Sequence, residues 1–192
     1  MVKLRDAWRP AAVGIGLLCL TACATASSPD QMSVSAGATA QAAPGSRSDH
    51  SFRLGAVNGG AQTEAIGLSE VSNDALHAAL ESSLHNLNYL ADDPSKAAYV
   101  VSADLVDLDR PVAAFDPALL FVPIDLTVTV KIHYTVTRTT GGAPVFDEVV
   151  ATTGTGGAGD ALTPVGRVRK GVEDGVRLNI AAFVRRLQTE WK

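Results

Sequence analysis

Cysteine is scarce in this chain of 192 residues: there are two, Cys19 and Cys23, both near the N-terminus. A disulfide-stapled small fold is therefore excluded, and so is a zinc site built on four thiolates. A basic excess is missing as well. Lysine and arginine number 16 against 20 acids, a formal charge of −4, so the chain lacks the electrostatic footprint of a nucleic-acid binder. No apolar run is long enough for a confident transmembrane helix, and there is no internal repeat. No G-x-S-x-G or H-E-x-x-H is present. Aromatic residues make up only 5%, yet the hydrophobic share is 46%, which excludes wholesale disorder. The length allows one domain, two at most.

The N-terminus carries the most specific signal. Lys3, Arg5 and Arg9 form a positive region, Ala11 to Leu20 a short apolar run, and Thr21, Ala22, Cys23 and Ala24 a series of small residues. That is the three-part layout of a secretory signal. The junction Leu20-Thr21-Ala22-Cys23 resembles the lipobox of bacterial lipoproteins, whose cysteine becomes the acylated first residue of the mature chain. The resemblance implies a signal peptide over 1–22, acyl chains on Cys23, and a membrane reached through that anchor. An uncleaved signal anchor is the competing reading, weakened by the glycines and early small residues. Several chains hold a protein stably where one does not. Ala24, where an aspartate would signal retention at the inner membrane, implies the periplasmic face of the outer membrane of a Gram-negative bacterium. The mature chain would then carry 13 basic and 19 acidic groups, a net −6.

Residues 23–50 are rich in Ala, Ser, Thr and Gly with almost no large apolar residue. Such a stretch cannot offset its own ordering entropy, so it reads as a flexible tether with an r.m.s. reach of roughly 30 Å. Residues 51–192 are left as a single domain, large enough for one core.

Within that domain Phe52, Leu54 and Ala56 alternate as a short strand that Gly59-Gly60 stop. Ser72 can cap a helix over about 72–90, with Val71 and Leu76 as a hydrophobic staple and Asp92-Asp93-Pro94 as its stop. Tyr99, Val101, Ala103 and Leu105 share one face of a second strand. From Ile124 to Thr137 apolar and polar residues alternate strictly, which gives a third strand one buried and one Thr-rich polar face. A Gly141-Gly142 turn leads to a fourth strand over about 144–153. Last, Thr163 and Pro164 open a long helix whose apolar stripe is Val165, Val168, Val172, Val176, Ile180, Phe183 and Leu187. Gly171 and Gly175 weaken it, but their spacing lets its backbone lie close to a sheet. The order predicts α+β: a mixed four-stranded sheet with two helices packed on one face, β-α-β-β-β-α. The first two strands are expected parallel and the later ones an antiparallel meander.

A lipobox, a polar tether and this order of elements resemble the small outer-membrane lipoproteins of envelope assembly. These include the LptE-like lipopolysaccharide-assembly proteins and the auxiliary lipoproteins of ABC-type lipid transport. The stretches VSNDALHAALESSL, VVSADLVDLDRP and GRVRKGVEDGVRLNIAAFVRRL also resemble a small alphaproteobacterial lipoprotein group with no established role. The resemblance implies a non-catalytic accessory or assembly factor for an envelope complex or lipid-transport machine, with an envelope protein as partner. The alternative is a lipid- or small-ligand-binding module on the same anchor, its ligand between sheet and helices or under the 112–123 connection. Fold alone does not decide between them.

Candidate chemistry is thin. Gly154 to Gly159 match G-x-G-x-x-G between a strand and a helix, but no strand follows that helix, so nucleotide binding is not expected. His77, Glu81 and His85 stand four apart on one helix, which reads as a solvated ladder without a clustered third metal ligand. No catalytic residue, metal or cofactor is expected beyond the acyl chains on Cys23. Two features suggest contact. The connection Val112 to Pro123 is strongly apolar, with Phe115, Leu119, Leu120 and Phe121; the alternative is that it folds over the end of the core or that its second half extends the third strand. From Arg167 to Lys192 there is a net +4, so Arg167, Arg169, Lys170 and Arg177 are candidates to meet lipid or an acidic partner; Arg169, Glu173 and Arg177 are equally spaced for pairing among themselves.

Overall fold

The computed structural model describes residues 26–39, 41–64, 68–111 and 122–191. Their elements are α1 (Pro29–Met32), β1 (Phe52–Asn58), α2 (Asn73–Asn86), β2 (Tyr99–Asp109), β3 (Leu126–Arg138), β4 (Phe146–Gly156) and α3 (Pro164–Glu190). The sheet runs β1-β2-β3-β4, with β1 parallel to β2 and the other pairs antiparallel. This is the expected α+β arrangement, with one short additional helix.

The alternation of β3 fixes which face is covered. Leu126, Val128, Val130, Ile132, Tyr134 and Val136 are all buried, while Thr127, Thr129, Lys131, His133 and Thr135 face the other way. α2 and α3 both lie on the apolar side and bury Leu76, Leu80, Leu84 and Val168, Val172, Val176, Ile180, Phe183 against it. Phe183 stacks on Tyr134 at 4.1 Å between ring centroids and meets Phe146 edge-on at 5.4 Å. Burial pushes the Tyr134 hydroxyl pKa well above the ordinary phenol value. At the far end of the sheet Phe52, Tyr99 and Trp191 form an aromatic cluster, Trp191 lying 5.3 Å from Phe52 and 4.5 Å from Tyr99. The helix caps are those the sequence offers: Ser72 Oγ accepts from the Ala75 amide and Thr163 Oγ1 from the Gly166 amide.

Three expectations shift. α2 ends at Asn86, four residues early, because Asn88 takes a positive φ of 62° and the Tyr89 amide turns back to the Leu84 carbonyl. The chain then runs beside β1, where Leu90 bridges Phe52. In β1 the inward set is Phe52, Leu54 and Val57, and Ala56 is exposed, because a bulge lies between Leu54 and Val57. In β2 a second bulge at Val106 restores the inward direction at Leu108, opposite Val130, and leaves Val106 59% exposed. β4 extends to Gly156, so the first glycines of the glycine-rich motif belong to a strand.

Candidate functional site

The segment read as a flexible tether is part of the fold. Residues 26–39 and 41–50 lie along the helical layer, and Ser27, Met32, Val34 and Ala42 are buried. The Ser28 amide donates to Glu173 Oε1 at 3.1 Å, the Val34 amide to Ser83 Oγ at 2.9 Å, and the Ala42 amide to the Leu87 carbonyl at 2.9 Å. Gln188 Nε2 reaches the Gln41 carbonyl at 3.2 Å. Composition misled here: the stretch is polar on average, but its few larger apolar residues, Met32 and Val34, are the ones the core takes.

Glu173 fastens this strap. It is 2% exposed, and its charge is met by Lys170 Nζ at 3.1 Å and Arg169 Nε at 3.8 Å as well as by the Ser28 amide. Lys170 also donates to Gln31 Oε1 of α1 at 3.1 Å. A polar cleft of about 250 Å³ lies between α1, α3 and the end of β4, lined by Gln31, Thr155, Asp160, Lys170, Asp174 and Arg177.

The basic helix is therefore largely compensated from within. Arg167, expected as a contact residue, is only 4% exposed. Its guanidinium donates to four backbone carbonyls: Ala161 at 3.0 Å, Leu162 at 3.2 Å, Val122 at 2.7 Å and Ile124 at 3.4 Å. It ties the β2–β3 and β4–α3 connections together, a use to which its planar fork of donors is suited. Arg169 and Lys170 serve Glu173, Arg177 pairs with Asp174, and Arg186 reaches Glu148 at 2.9 Å.

The glycine-rich motif is a packing device. A Cβ on Gly154 would lie 2.1 Å from the Gly171 carbonyl oxygen and 2.2 Å from the Gly175 nitrogen; one on Gly156 would lie 1.7 Å from the Arg167 carbonyl oxygen. β4 and α3 thus touch backbone to backbone along a seam that Gly171 and Gly175 complete. Beside it Asn179, fully buried, donates to the Val150 carbonyl at 2.7 Å, Thr152 Oγ1 at 3.1 Å and the Val130 carbonyl at 3.3 Å, and Thr152 Oγ1 donates to the Gly175 carbonyl at 2.9 Å.

Among the described residues no helix packs on the other face of the sheet, which is polar. Lys131 Nζ meets Asp107 at 2.9 Å, and the hydrogen bond and charge of Asp107 raise its pKa. His133 Nε2 lies 2.6 Å from Asp147, and Asn58 bonds Asp104 at 2.9 Å. Around these pairs stand Thr129, Thr153, Thr155 and Val149, the last 48% exposed. A groove of about 570 Å³ opens between β1 and α2, lined by His50, Leu54, His77, Glu81, His85 and Leu90 among others. The closest pairs there are long, His77–Glu81 at 3.9 Å and His50–Asp92 at 3.6 Å, and among the described residues no group of three or more His, Cys, Asp or Glu is placed to hold a metal. No described helix is long and apolar enough to cross a membrane. Cys23, Phe115, Leu119, Leu120 and Phe121 lie outside the described residues.

No protein-family model matches this chain, and no curated protein matches its sequence. Among solved structures, a Xanthomonas campestris protein of the DUF330 family aligns with 79% of this chain and 92% of its own length, at a TM-score of 0.52 and 9% identity. A candidate lipoprotein from Caulobacter crescentus aligns over 62% and 79%, at a TM-score of 0.36 and 15% identity. A hypothetical protein from Chlamydia trachomatis aligns over 74% and 97%, at 0.45 and 9%. The first likeness is one of fold and says nothing of function. The other two are too distant in geometry to add to it.

Proposed function

We propose that this chain is a lipid-anchored protein of the Gram-negative envelope, acylated on Cys23 and acting by contact rather than catalysis. Its role would be that of an accessory or assembly factor for an envelope complex or lipid-transport machine, on the periplasmic face of the outer membrane. The observation that carries the reading is the junction Leu20-Thr21-Ala22-Cys23, four positions ahead of Ser27, the first buried residue among those described. An acylation site this near a buried residue suits a mature chain whose first segment packs on the domain.

The open face of β2, β3 and β4 suits the contact. Most basic side chains of α3 are engaged within the fold, whereas this face is polar and has no described helix on it, with paired charges and Val149 exposed there. The test is a mild-detergent pull-down of the native protein from membranes, with Cys23→Ser and the facing pair Thr129→Arg with Thr153→Arg as variants. A stoichiometric partner that both variants lose supports the reading. A protein that is never acylated, or that meets no partner through this face while folded, overturns it.

The alternative, a lipid- or small-ligand-binding module, has one feature in its favour, the β1–α2 groove. Lipid in organic extracts of purified protein would favour it, and a melting temperature indifferent to added lipids would count against it.

A further inference from the structure

We propose that β4 is an interface strand: its free edge pairs antiparallel with the β4 edge of a second copy of this chain, about a two-fold axis through Ala151. The inference rests on neither the acyl anchor nor the open sheet face.

The ladder shows which backbone groups are spare. The Thr139 amide donates to the Ala98 carbonyl and the Val145 amide to the Val136 carbonyl. Odd-numbered residues of β3 therefore turn toward β2 and even-numbered ones toward β4, so it is the even-numbered residues of β4 that bond to β3. Asp147, Val149, Ala151, Thr153 and Thr155 direct their amides and carbonyls away from the sheet, and no described group bonds to them.

That edge carries none of the usual guards. β4 pairs with β3 over 11 residues without a register shift, it contains no Lys, Arg or Pro, and its two charges, Asp147 and Glu148, sit together at one end. β1, at the opposite edge, is guarded: Phe52 exchanges bonds with Tyr89 and Ala91, and a bulge follows between Leu54 and Val57.

What fits the edge of β4 is the same strand reversed. With Ala151 on the axis, Val149 lies opposite Thr153 and Asp147 opposite Thr155, while on the helix side Glu148 lies opposite Gly154, so no like charges face each other. The pairing closes on itself and makes about ten interchain hydrogen bonds. α3 carries a second self-complementary row above the same edge. Asp174 and Thr155 line one cleft, and Arg186 reaches Glu148 at 2.9 Å, so one side of α3 follows β4 along its length. Between these ends, at helical spacing, stand Leu178 and Ala182, both half-buried. Reversed on its copy, the row sets apolar middle on apolar middle and the Asp174 end against the Arg186 end.

The test is the particle mass of the whole protein, purified from membranes in mild detergent, by sedimentation equilibrium at matched solvent density. Two chains per particle is the expected result. Ala151→Lys, at an exposed position on the axis, and Leu178→Glu should each weaken the dimer roughly tenfold or more, while far-UV dichroism stays that of the parent. Ala151→Cys oxidised in intact membranes should give a reducible band of twice the chain mass. Val106→Cys, at a position 59% exposed on β2, should not, and the parent chain sets the background from Cys19 and Cys23. A single chain at every concentration, or a dimer that both surface variants leave intact, overturns the proposal. A band joining Ala151→Cys to a different protein overturns it too, and assigns the edge to a foreign strand.

Discussion

Replacing Gly156 by alanine tests the seam between β4 and α3. The added Cβ would lie 1.7 Å from the Arg167 carbonyl oxygen and 2.6 Å from the Arg167 carbonyl carbon, where ordinary contact starts near 3.4 Å. Both obstructing atoms are backbone, so no side-chain rotation relieves the overlap, and strand and helix must part by more than an ångström. The stripe of Val168, Val172, Val176, Ile180 and Phe183, each fully buried, would be lifted from the sheet along with them. Over-packing of this kind costs about 1–3 kcal/mol, occasionally more. Contact with backbone rather than a flexible side chain puts Gly156→Ala at the upper end, about 3 kcal/mol, or roughly 6–12 °C in Tm for a domain of this size. Gly154→Ala, which meets Gly171 and Gly175 at 2.1–2.2 Å, belongs in the same class. Gly159→Ala meets nothing within 4 Å and should leave stability unchanged. Gly171→Ala meets Val128 at 3.0 Å, and its gain of about 1 kcal/mol in helix propensity offsets much of that crowding. Urea unfolding read by far-UV dichroism and by Trp191 fluorescence would rank the four variants at constant m. Trp191 is the one tryptophan after the proposed signal segment and packs on Phe52 and Tyr99, so its emission reports α3 directly. A Gly156→Ala variant that unfolds at the wild-type midpoint would refute the backbone contact and return the glycine motif to the list of candidate ligand loops.

Three other outcomes follow from the same packing. Asn179→Ala should cost about 1–3 kcal/mol by equilibrium unfolding, because the buried amide serves Val150, Thr152 and Val130 at once; an unchanged midpoint would mean those groups find other donors. Met32→Ala should cost about 2–5 kcal/mol, the value for a core methionine, whereas a flexible tether would lose nothing measurable. Stability should hold steady up to about pH 9 and fall beyond pH 10, since burial raises the pKa of both Tyr134 and Tyr89 above its unfolded value: that contribution is complete below the unfolded pKa and is lost as pH rises through the folded one. Thermal melts of Tyr134→Phe, whose parent hydroxyl has no partner among the described residues, should show a shallower alkaline decline and no loss at neutral pH.

The elements that the sequence displayed most plainly are those whose signal is local. Period two in β3 and the 3.6-residue stripe of α3 are written in consecutive side chains, and the caps Ser72 and Thr163 stand where their helices begin. The parallel β1–β2 pair followed from the helix between them. The bulges at 55–56 and 106 were not legible, because one residue of slack is set by the partner strand. Arg167 looked like surface charge because its acceptors are backbone carbonyls at 122, 124, 161 and 162, which carry no sequence signature. Glu173 looked like a helix-surface acid, and nothing near it in sequence announces the Ser28 amide, 145 residues away. The contact residues expected at 115 and 119–121 fall outside the described residues, and the basic residues of α3 that lie within them mostly have acid partners in the fold.

That same separation bears on the order in which the molecule can fold. Ser28 waits for Glu173, Gln31 for Lys170 and Gln41 for Gln188, pairs 139 to 147 residues apart. Residues 28–41 therefore have no complete seat until the last helix exists. Loop closure over such spans is entropically late and slow compared with the β3–β4 hairpin. A chain that crosses a membrane with its N-terminus leading cannot complete this fold on the way: the strap stays open until α3 has followed it through, and the two ends close the structure together.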